Sequence, residues 1–159
     1  MCVLELELDS EADTLALAGS LGAVLEPGDV IGLEGGLGAG KTTFTRGAVH
    51  GLGVPGETPV TSPTFALLHQ YQGRLPIAHA DFYRLANEAE LEELGVDELL
   101  EEGVVLFVEW GRKFPRMASR IVLWVELEIV SDSGRRARLR PEGARGDAII
   151  DAVRTRLRS

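Results

Sequence analysis

The chain has 159 residues, of which 45% are hydrophobic, and it carries a formal net charge of −9. This composition is typical of a globular domain, and no apolar run approaches the roughly 20 residues needed to cross a bilayer, so we expect no contact with a membrane. An acidic chain is also a poor autonomous nucleic-acid binder, because neutralised phosphates supply most of that affinity.

The cellular compartment is indicated by the single cysteine and by the start of the chain. Cys2 has no second cysteine with which to form an internal disulfide, which fits a reducing compartment. The start of the chain carries the acidic residues Glu5 and Glu7, whereas a secretory signal would carry basic residues and then an apolar stretch. We therefore expect a cytoplasmic protein whose residues 1–159 form one domain.

The first third of the chain predicts two strands that alternate with two helices. Leucine alternates with glutamate over residues 4–8, which predicts a half-buried strand. Ser10 opens a helix through a capping pattern, and an apolar stripe continues that helix to Leu25. The apolar residues 30–33 then predict a short strand that leads directly into a glycine-rich loop, and residues 42–52 continue as a helix.

The remainder of the chain predicts further strands and helices of the same alternating kind. Eight elements follow in chain order: strands over 66–71 and 75–80, helices over 88–94 and 97–101, strands over 104–108, 121–130 and 135–140, and a closing helix over 144–157. The strand over 104–108 is uniformly apolar, as in strands buried on both faces. We therefore predict an α/β fold with a mostly parallel central sheet, helices on both faces and an antiparallel edge.

The glycine-rich loop matches the pattern G-x-x-x-x-G-K-[ST] at Gly35, Gly40, Lys41 and Thr42. Glycines let backbone N–H groups converge on phosphate oxygens, and the helix that follows adds the positive end of its dipole. Lys41 can reach the β- and γ-phosphates, and the Thr42 hydroxyl can ligate Mg²⁺. The pattern thus predicts a single P-loop NTPase-like domain. The residues predicted to contact the nucleotide here are Gly35, Gly38, Ala39, Gly40, Lys41, Thr42 and Thr43.

Two acidic residues that end predicted strands are the candidates for the remaining chemistry. A guanine-specific enzyme would normally carry an Asn-Lys-x-Asp pattern, which this sequence lacks, so ATP is favoured over GTP. A P-loop enzyme also needs an acid near Mg²⁺ and a group that positions the nucleophile. Asp81 and Glu109 both qualify. Glu109 follows the more apolar strand and is the better Walker-B candidate, although either carboxylate can instead cap a turn.

Three further side chains lie close to these acids in the sequence. His79 is two residues from Asp81 and therefore faces the same side of its strand, where a structural histidine is more frequent than a catalytic one. Trp110 can stack on a ligand or a partner, or pack in the core. Thr64 lies in the segment where P-loop proteins place switch loops that sense the γ-phosphate, and we predict that its hydroxyl takes part in catalysis.

The charges of the chain are unevenly distributed. Residues 88–109 contain nine acids and no lysine or arginine, and residues 135–158 contain eight arginines and three acids. Each segment can be an ordinary solvated surface. The alternatives are an acidic docking surface for a basic partner and a basic edge that faces phosphates or RNA.

Taken together, the motifs of this sequence resemble those of the bacterial TsaE (formerly YjeE) family. The motifs that carry the resemblance are Gly-Leu-Gly-Ala-Gly-Lys-Thr-Thr-Phe-Thr-Arg-Gly at 36–47, Ser-Pro-Thr-Phe at 62–65, His-Ala-Asp-Phe-Tyr-Arg-Leu at 79–85, the acidic segment 90–95 and Glu-Trp at 109–110. They occur in the order and at the spacing of the family. The resemblance covers nearly the whole chain and is weakest at the first strand and after Lys113.

The resemblance implies a small ATPase of tRNA threonylcarbamoyladenosine biosynthesis. Such proteins act with a TsaD-like and a TsaB-like protein to modify the adenosine next to the anticodon. They do not make the threonylcarbamoyl group, and their ATP cycle supports turnover of the complex. We therefore expect slow hydrolysis by the isolated chain, and contact with tRNA only through the complex.

The resemblance also implies roles for individual residues. Lys41 would hold phosphate, Thr42 and Glu109 would serve Mg²⁺, and Asp81 would support the metal or the water. Trp110 would belong to the nucleotide or partner surface.

Three more residues match family positions near the nucleotide, and one residue departs from the family pattern. Ser10 and Glu11 match a segment near the adenine, and Arg135 resembles an arginine near the nucleotide. Gly36 stands where family members usually carry Asp. The change leaves Lys41 and the backbone cradle intact, so we expect it to affect rate more than binding.

Two other functions remain open at this point. A small-molecule kinase also uses a P-loop and a strand-end acid, but usually carries an arginine-bearing lid, and residues 85–109 are acidic and poor in arginine. A nucleotide-gated adaptor that does not hydrolyse ATP would use nucleotide binding alone to order the loop over 58–64 for partner docking.

Overall fold

The computed structural model describes residues 2–159, which form seven strands and six α-helices. The strands are β1 (Leu4–Leu8), β2 (Val30–Glu34), β3 (Leu68–Gln72), β4 (Pro76–Asp81), β5 (Val105–Glu109), β6 (Leu123–Ile129) and β7 (Arg135–Pro141). The helices are α1 (Glu11–Val24), α2 (Lys41–Gly51), α3 (Glu88–Glu93), α4 (Val96–Glu101), α5 (Pro115–Ala118) and α6 (Gly143–Leu157). A short 3-10 helix over Gly111–Lys113 follows β5.

All seven strands belong to one sheet, in the order β1-β7-β6-β2-β5-β4-β3. The four central strands β6, β2, β5 and β4 are parallel to one another. The hairpins β3–β4 and β6–β7 are antiparallel, because their connections are too short for a crossover, and β1 pairs antiparallel with β7. The predicted α/β fold is confirmed, with antiparallel pairing at both edges of the sheet rather than at one.

Helices cover both faces of the sheet, because successive residues of a strand point to opposite sides. Val105 and Phe107 of β5 pack in the core that contains buried residues of α1, α2 and α6. Leu106 and Val108, which alternate with them, pack in a second core against α3, α4 and α5. All five residues of β5 are buried, which agrees with the unbroken apolar run.

Glycines allow α1 and α2 to pack with their backbones in close contact. A Cβ atom at Gly22 of α1 would collide with the backbone carbonyl of Ala48 in α2. A Cβ atom at Gly51 of α2 would collide in the same way with the backbone of Gly19. This contact sets the position of α2, and therefore of the loop that precedes it.

The structure differs from the predicted elements at two places near the site. β3 begins at Leu68 rather than at residue 66, because Leu67 adopts a left-handed backbone with φ of 68°. The turns over residues 111–118 were not predicted from the pattern, although Pro115 occupies the first position of α5, where its missing N–H costs no hydrogen bond.

Three of the four arginines of β7 are paired with glutamates of the neighbouring strands: Arg136, Arg138 and Arg140. Arg136 lies 2.6 Å from Glu7 of β1 and 3.4 Å from Glu128 of β6. Arg138 lies 2.8 Å from Glu5. These cross-strand pairs support the interpretation of this segment as an ordinary solvated surface, and not as an RNA-facing edge.

The acidic segment is partly neutralised by two arginines, Arg116 of α5 and Arg120 just after that helix. Arg116 lies 2.8 Å from Asp97 and 3.5 Å from Glu88, and Arg120 lies 3.3 Å from Asp97.

No helix within residues 2–159 is both long enough and apolar enough to pass through a membrane.

The α1–α2 contact predicts different effects on stability for two Gly→Ala substitutions on one helix. Gly22→Ala should lower the free energy of unfolding by about 1–3 kcal/mol, because the added methyl meets backbone that cannot move aside. Gly19→Ala is the matched control. Its nearest neighbour would be the Gly47 carbonyl at 3.8 Å, so it should be neutral or stabilise by up to about 1 kcal/mol. Urea unfolding measures both, and equal effects would contradict the prediction.

Candidate nucleotide site

The P-loop connects β2 to α2 and presents an open backbone concavity. Gly38 and Gly40 have left-handed φ angles of 80° and 103°, which favour glycine. A Cβ atom at either residue would meet nothing within 4 Å, so the space beside the loop is free for a ligand. The N–H groups of the first turn of α2 have no partner within the helix and can bind an anion.

The P-loop forms one side of an open cleft of about 970 Å³. Its other sides come from the loop before β3 and from the carboxyl ends of β4 and β5. The residues that line it are Gly35, Gly36, Leu37, Gly38, Gly40, Lys41, Thr42, Thr43, Ser62, Thr64, Asp81, Tyr83, Glu109 and Trp110. Most of the residues predicted from the sequence therefore meet in one cleft; Ala39, Ser10, Glu11 and Arg135 are not among its lining residues.

Glu109 is the centre of a buried charged cluster beside the P-loop. Its side chain is 7% exposed, its Oε1 lies 3.4 Å from Lys41 Nζ, and its Oε2 lies 2.9 Å from His79 Nε2. Burial alone would raise the pKa of Glu109, but the hydrogen bond from His79 and the positive charge of Lys41 lower it by more. Glu109 is therefore an ionised carboxylate that faces the phosphate side of the cleft.

Asp81 connects the cleft to the threonine-bearing loop. Its Oδ2 accepts a hydrogen bond from Thr64 Oγ1 at 3.3 Å, and its Oδ1 accepts one from the Tyr83 backbone N–H at 2.9 Å. Thr64 Oγ1 is also 2.8 Å from Ser62 Oγ. The structure thus places the predicted switch hydroxyl next to one of the two predicted acids, and adds Ser62 and Tyr83 to the cleft.

Trp110 lies at the mouth of the cleft and is 51% exposed, so it does not serve as a core residue. Its backbone is left-handed, with φ of 63°. Its ring lies 4.9 Å from the ring of Tyr83, centroid to centroid. The two aromatic rings provide an apolar rim next to Glu109.

Arg135 and Glu11 belong to a smaller cavity of about 240 Å³ next to the P-loop, which Gly40 and Thr43 also line. Arg135 Nη2 donates a hydrogen bond to the Gly38 carbonyl at 3.1 Å and so connects the β6–β7 turn to the loop. Ser10 lies outside this lining. Its Oγ accepts a weak hydrogen bond from the Asp13 N–H at 3.3 Å and caps α1.

The residues present fit a nucleotide with Mg²⁺. Mg²⁺ in phosphate-transfer sites keeps several waters and binds one or two carboxylates together with substrate phosphates. The cleft offers the Thr42 hydroxyl and the carboxylates of Glu109 and Asp81 beside the free concavity. Within residues 2–159 no group of three or more His, Cys, Asp or Glu side chains is arranged as a ready-made metal site.

Comparison with known proteins identifies the family. The model of the family described as "Threonylcarbamoyl adenosine biosynthesis protein TsaE" matches residues 8–138. This chain belongs to the TsaE family. The structure also resembles the crystal structure of YdiB from Bacillus subtilis, with a TM-score of 0.77 and 30% identity over 98% of this chain and 96% of that chain.

Two curated relatives illustrate the extent of the similarity, and both are named tRNA threonylcarbamoyladenosine biosynthesis protein TsaE. The protein of Bacillus subtilis is 37% identical over 142 residues, which cover 89% of this chain and 87% of the relative. The protein of Mycobacterium bovis is 42% identical over 134 residues, which cover 78% of each chain. The resemblance drawn from the motifs is therefore confirmed.

Several cleft residues were not singled out from the sequence. Ser62 and Tyr83 line the cleft and lie inside motifs that the sequence analysis quoted. For Tyr83, its position two residues after Asp81 could have indicated that it lies near the cleft. Arg112 lies outside the cleft lining, in a neighbouring cavity that Lys41 and Trp110 also line, and it pairs with Glu34 through two hydrogen bonds of 2.7 and 3.1 Å. No local sequence pattern indicated this pair.

The left-handed backbone of Gly40 predicts a loss of nucleotide affinity on Gly40→Ala. An alanine at this φ is strained by about 1–2 kcal/mol, so the empty loop should relax, and binding should weaken roughly tenfold. Gly36→Ala is the control, because Gly36 has free space around its Cβ position and no left-handed φ. Titration calorimetry with ATP measures both affinities. Equal losses would contradict this account of the loop.

The lowered pKa of Glu109 predicts a pH-dependent contribution to stability. Because the folded-state pKa lies below the ordinary value of 4.5, the contribution is complete above that value and is lost as pH falls through the folded-state pKa. The stability difference between the wild type and Glu109→Gln should therefore shrink as pH falls below about 4.5. Urea unfolding at several pH values measures the difference, with an unchanged dependence on urea as the control. A difference that grows toward low pH would contradict the prediction.

Proposed function

We propose that this protein is an ATP-binding and slowly ATP-hydrolysing component of tRNA threonylcarbamoyladenosine biosynthesis, acting in the cytoplasm. The proposal rests on one observation: the open backbone concavity of the P-loop lies directly beside the charged cluster of Lys41, Glu109 and His79. Membership of the TsaE family supports the pathway, because its curated members are named for that biosynthesis.

In this proposal each part of the cleft has a defined task. The loop N–H groups and Lys41 bind the phosphates, and the Thr42 hydroxyl with Glu109 and Asp81 holds Mg²⁺ directly or through water. When bound there, Mg²⁺ would supply positive charge to offset the negative charge of the phosphates. Asp81 and Thr64 orient the attacking water, and Trp110 covers the nucleotide. Glu11 and Arg135 border the cavity proposed for the base, with Ser10 holding the start of α1.

The proposed partners are the TsaD-like and TsaB-like proteins implied by the family, with tRNA contacted only through that complex. The exposed acids of α3 and α4 that Arg116 and Arg120 do not pair offer a surface for a basic partner. Such an interaction is weakened by salt, because exposed charges are screened over about 10 Å at 0.1 M ionic strength. Partner affinity that is equal at low and high salt would exclude this surface.

Two substitutions separate nucleotide binding from hydrolysis. Lys41→Ala should weaken ATP binding by about 10–100-fold, because a charged hydrogen bond to phosphate is lost. Glu109→Gln should retain ATP but lower hydrolysis about 100-fold or more, because the proposed metal-binding carboxylate is lost. Calorimetry and phosphate release measure these effects, in the presence of the partners.

The same Glu109→Gln variant tests the proposal against the non-hydrolysing adaptor. We expect it to lose tRNA modification in the reconstituted complex. If hydrolysis stops while modification continues normally, ATP binding alone suffices and the ATPase proposal is wrong. A small-molecule kinase would instead show stoichiometric transfer of labelled phosphate from ATP to a nucleoside or sugar acceptor.

A further inference from the structure

His79 is a fully buried histidine in the middle of the site. It lies on β4, two residues before Asp81, and none of its surface is exposed. Its Nε2 is 2.9 Å from Glu109 Oε2. Its Nδ1 is one of two buried side-chain nitrogens without a hydrogen-bond partner in residues 2–159.

These contacts decide which nitrogen carries the proton. With the proton on Nε2, the N–H donates a hydrogen bond to the Glu109 carboxylate oxygen. Nδ1 then carries no proton and keeps an unshared lone pair. With the proton on Nδ1 instead, the Nε2 lone pair would face the Glu109 carboxylate, and a buried N–H would be unpaired. Leaving a buried donor unpaired is costly, so His79 acts as a hydrogen-bond donor through Nε2.

The two oxygens of Glu109 therefore have different surroundings. Oε2 is held by His79 inside the protein, whereas Oε1 lies 3.4 Å from Lys41 Nζ on the cleft side. Lys41 is the more exposed partner, with 20% of its side chain accessible. If Lys41 turns to the phosphates, as in the proposed function, Oε1 would be released while Oε2 stays bonded to His79.

We infer that His79 is a positioning residue that holds Glu109 Oε2, so that Glu109 presents only Oε1 to the nucleotide and its metal. The inference rests on the proposed function, in which Glu109 serves the Mg²⁺–nucleotide site. It assigns Glu109 a one-oxygen contact, direct or through water, and excludes a contact through both oxygens. It also assigns His79 a role in the reaction without any contact with substrate.

Two substitutions at His79 separate its hydrogen bond from its packing. His79→Leu introduces an apolar side chain of similar bulk and removes the N–H that donates to Glu109. His79→Gln retains an N–H near the position of Nε2. In His79→Leu we expect kcat to fall about 10–100-fold and the Mg²⁺ concentration for half-maximal ATP binding to rise by a similar factor. ATP affinity in excess chelator should be unchanged, and His79→Gln should recover most of the loss.

The control is His50→Leu, since the other buried histidine nitrogen without a partner belongs to His50, in α2 and outside the cleft lining. It should leave Mg²⁺ dependence unchanged. A folded His79→Leu with wild-type Mg²⁺ dependence and kcat would overturn the inference. So would a folded His79→Gln that is as impaired as His79→Leu, because packing would then explain the loss.

The wild-type chain gives a test that does not depend on whether a variant folds. Nitrogen-15 NMR of the imidazole should find a proton on Nε2 hydrogen-bonded to the carboxylate. Its absence would overturn the inference while leaving the proposed function intact. Conversely, if the wild-type chain binds ATP equally with Mg²⁺ and with chelator, the proposed function itself fails, and the inference falls with it.

Discussion

The site depends on the register of three neighbouring parallel strands. β2 pairs with β5 so that Leu33 lies beside Glu109, and β5 pairs with β4 so that Glu109 lies beside Asp81. The carboxyl ends of all three strands therefore reach the same edge of the sheet, where the P-loop begins. A slip of one residue would turn Glu109 to the opposite face, because side chains alternate along a strand. The hydrophobic alternation that builds the two cores thus also keeps the carboxylate on the phosphate side.

Burial of Glu109 and binding of an anion make opposing electrostatic demands. A carboxylate is costly to bury unless it is paired and hydrogen-bonded, and here Lys41 and His79 provide those partners. In the proposed function Lys41 also binds the phosphates. Phosphate binding would then draw Lys41 away from Glu109 and leave one oxygen of that carboxylate free for a cation. The negative charge of the chain as a whole makes this local positive charge more important for attracting a nucleotide.

Local patterns allowed the P-loop, the core strand β5 and the strand-end acids to be predicted, because each is encoded within a few neighbouring residues. Such patterns could not predict contacts between segments that are distant in the sequence. The hydrogen bond from Arg135 to the Gly38 carbonyl joins residues 97 positions apart, and a sequence similarity was the only indication of it. The different surroundings of the two Glu109 oxygens arise from three elements that meet only in the folded chain. The left-handed Leu67 reflects a tertiary constraint that overrides the local preference for a strand.

The two tryptophans of the chain differ in their surroundings, and this has an optical consequence. Trp124 is 3% exposed, and the Arg112 guanidinium lies 3.9 Å above its ring. Trp110 is half exposed, lies in tilted contact with the Tyr83 ring and follows Glu109 directly in the chain. Emission from the wetter indole is shifted to longer wavelength than emission from the buried one. The chain therefore carries its own spectroscopic reporter at the mouth of the cleft, and events there can be followed without an added label.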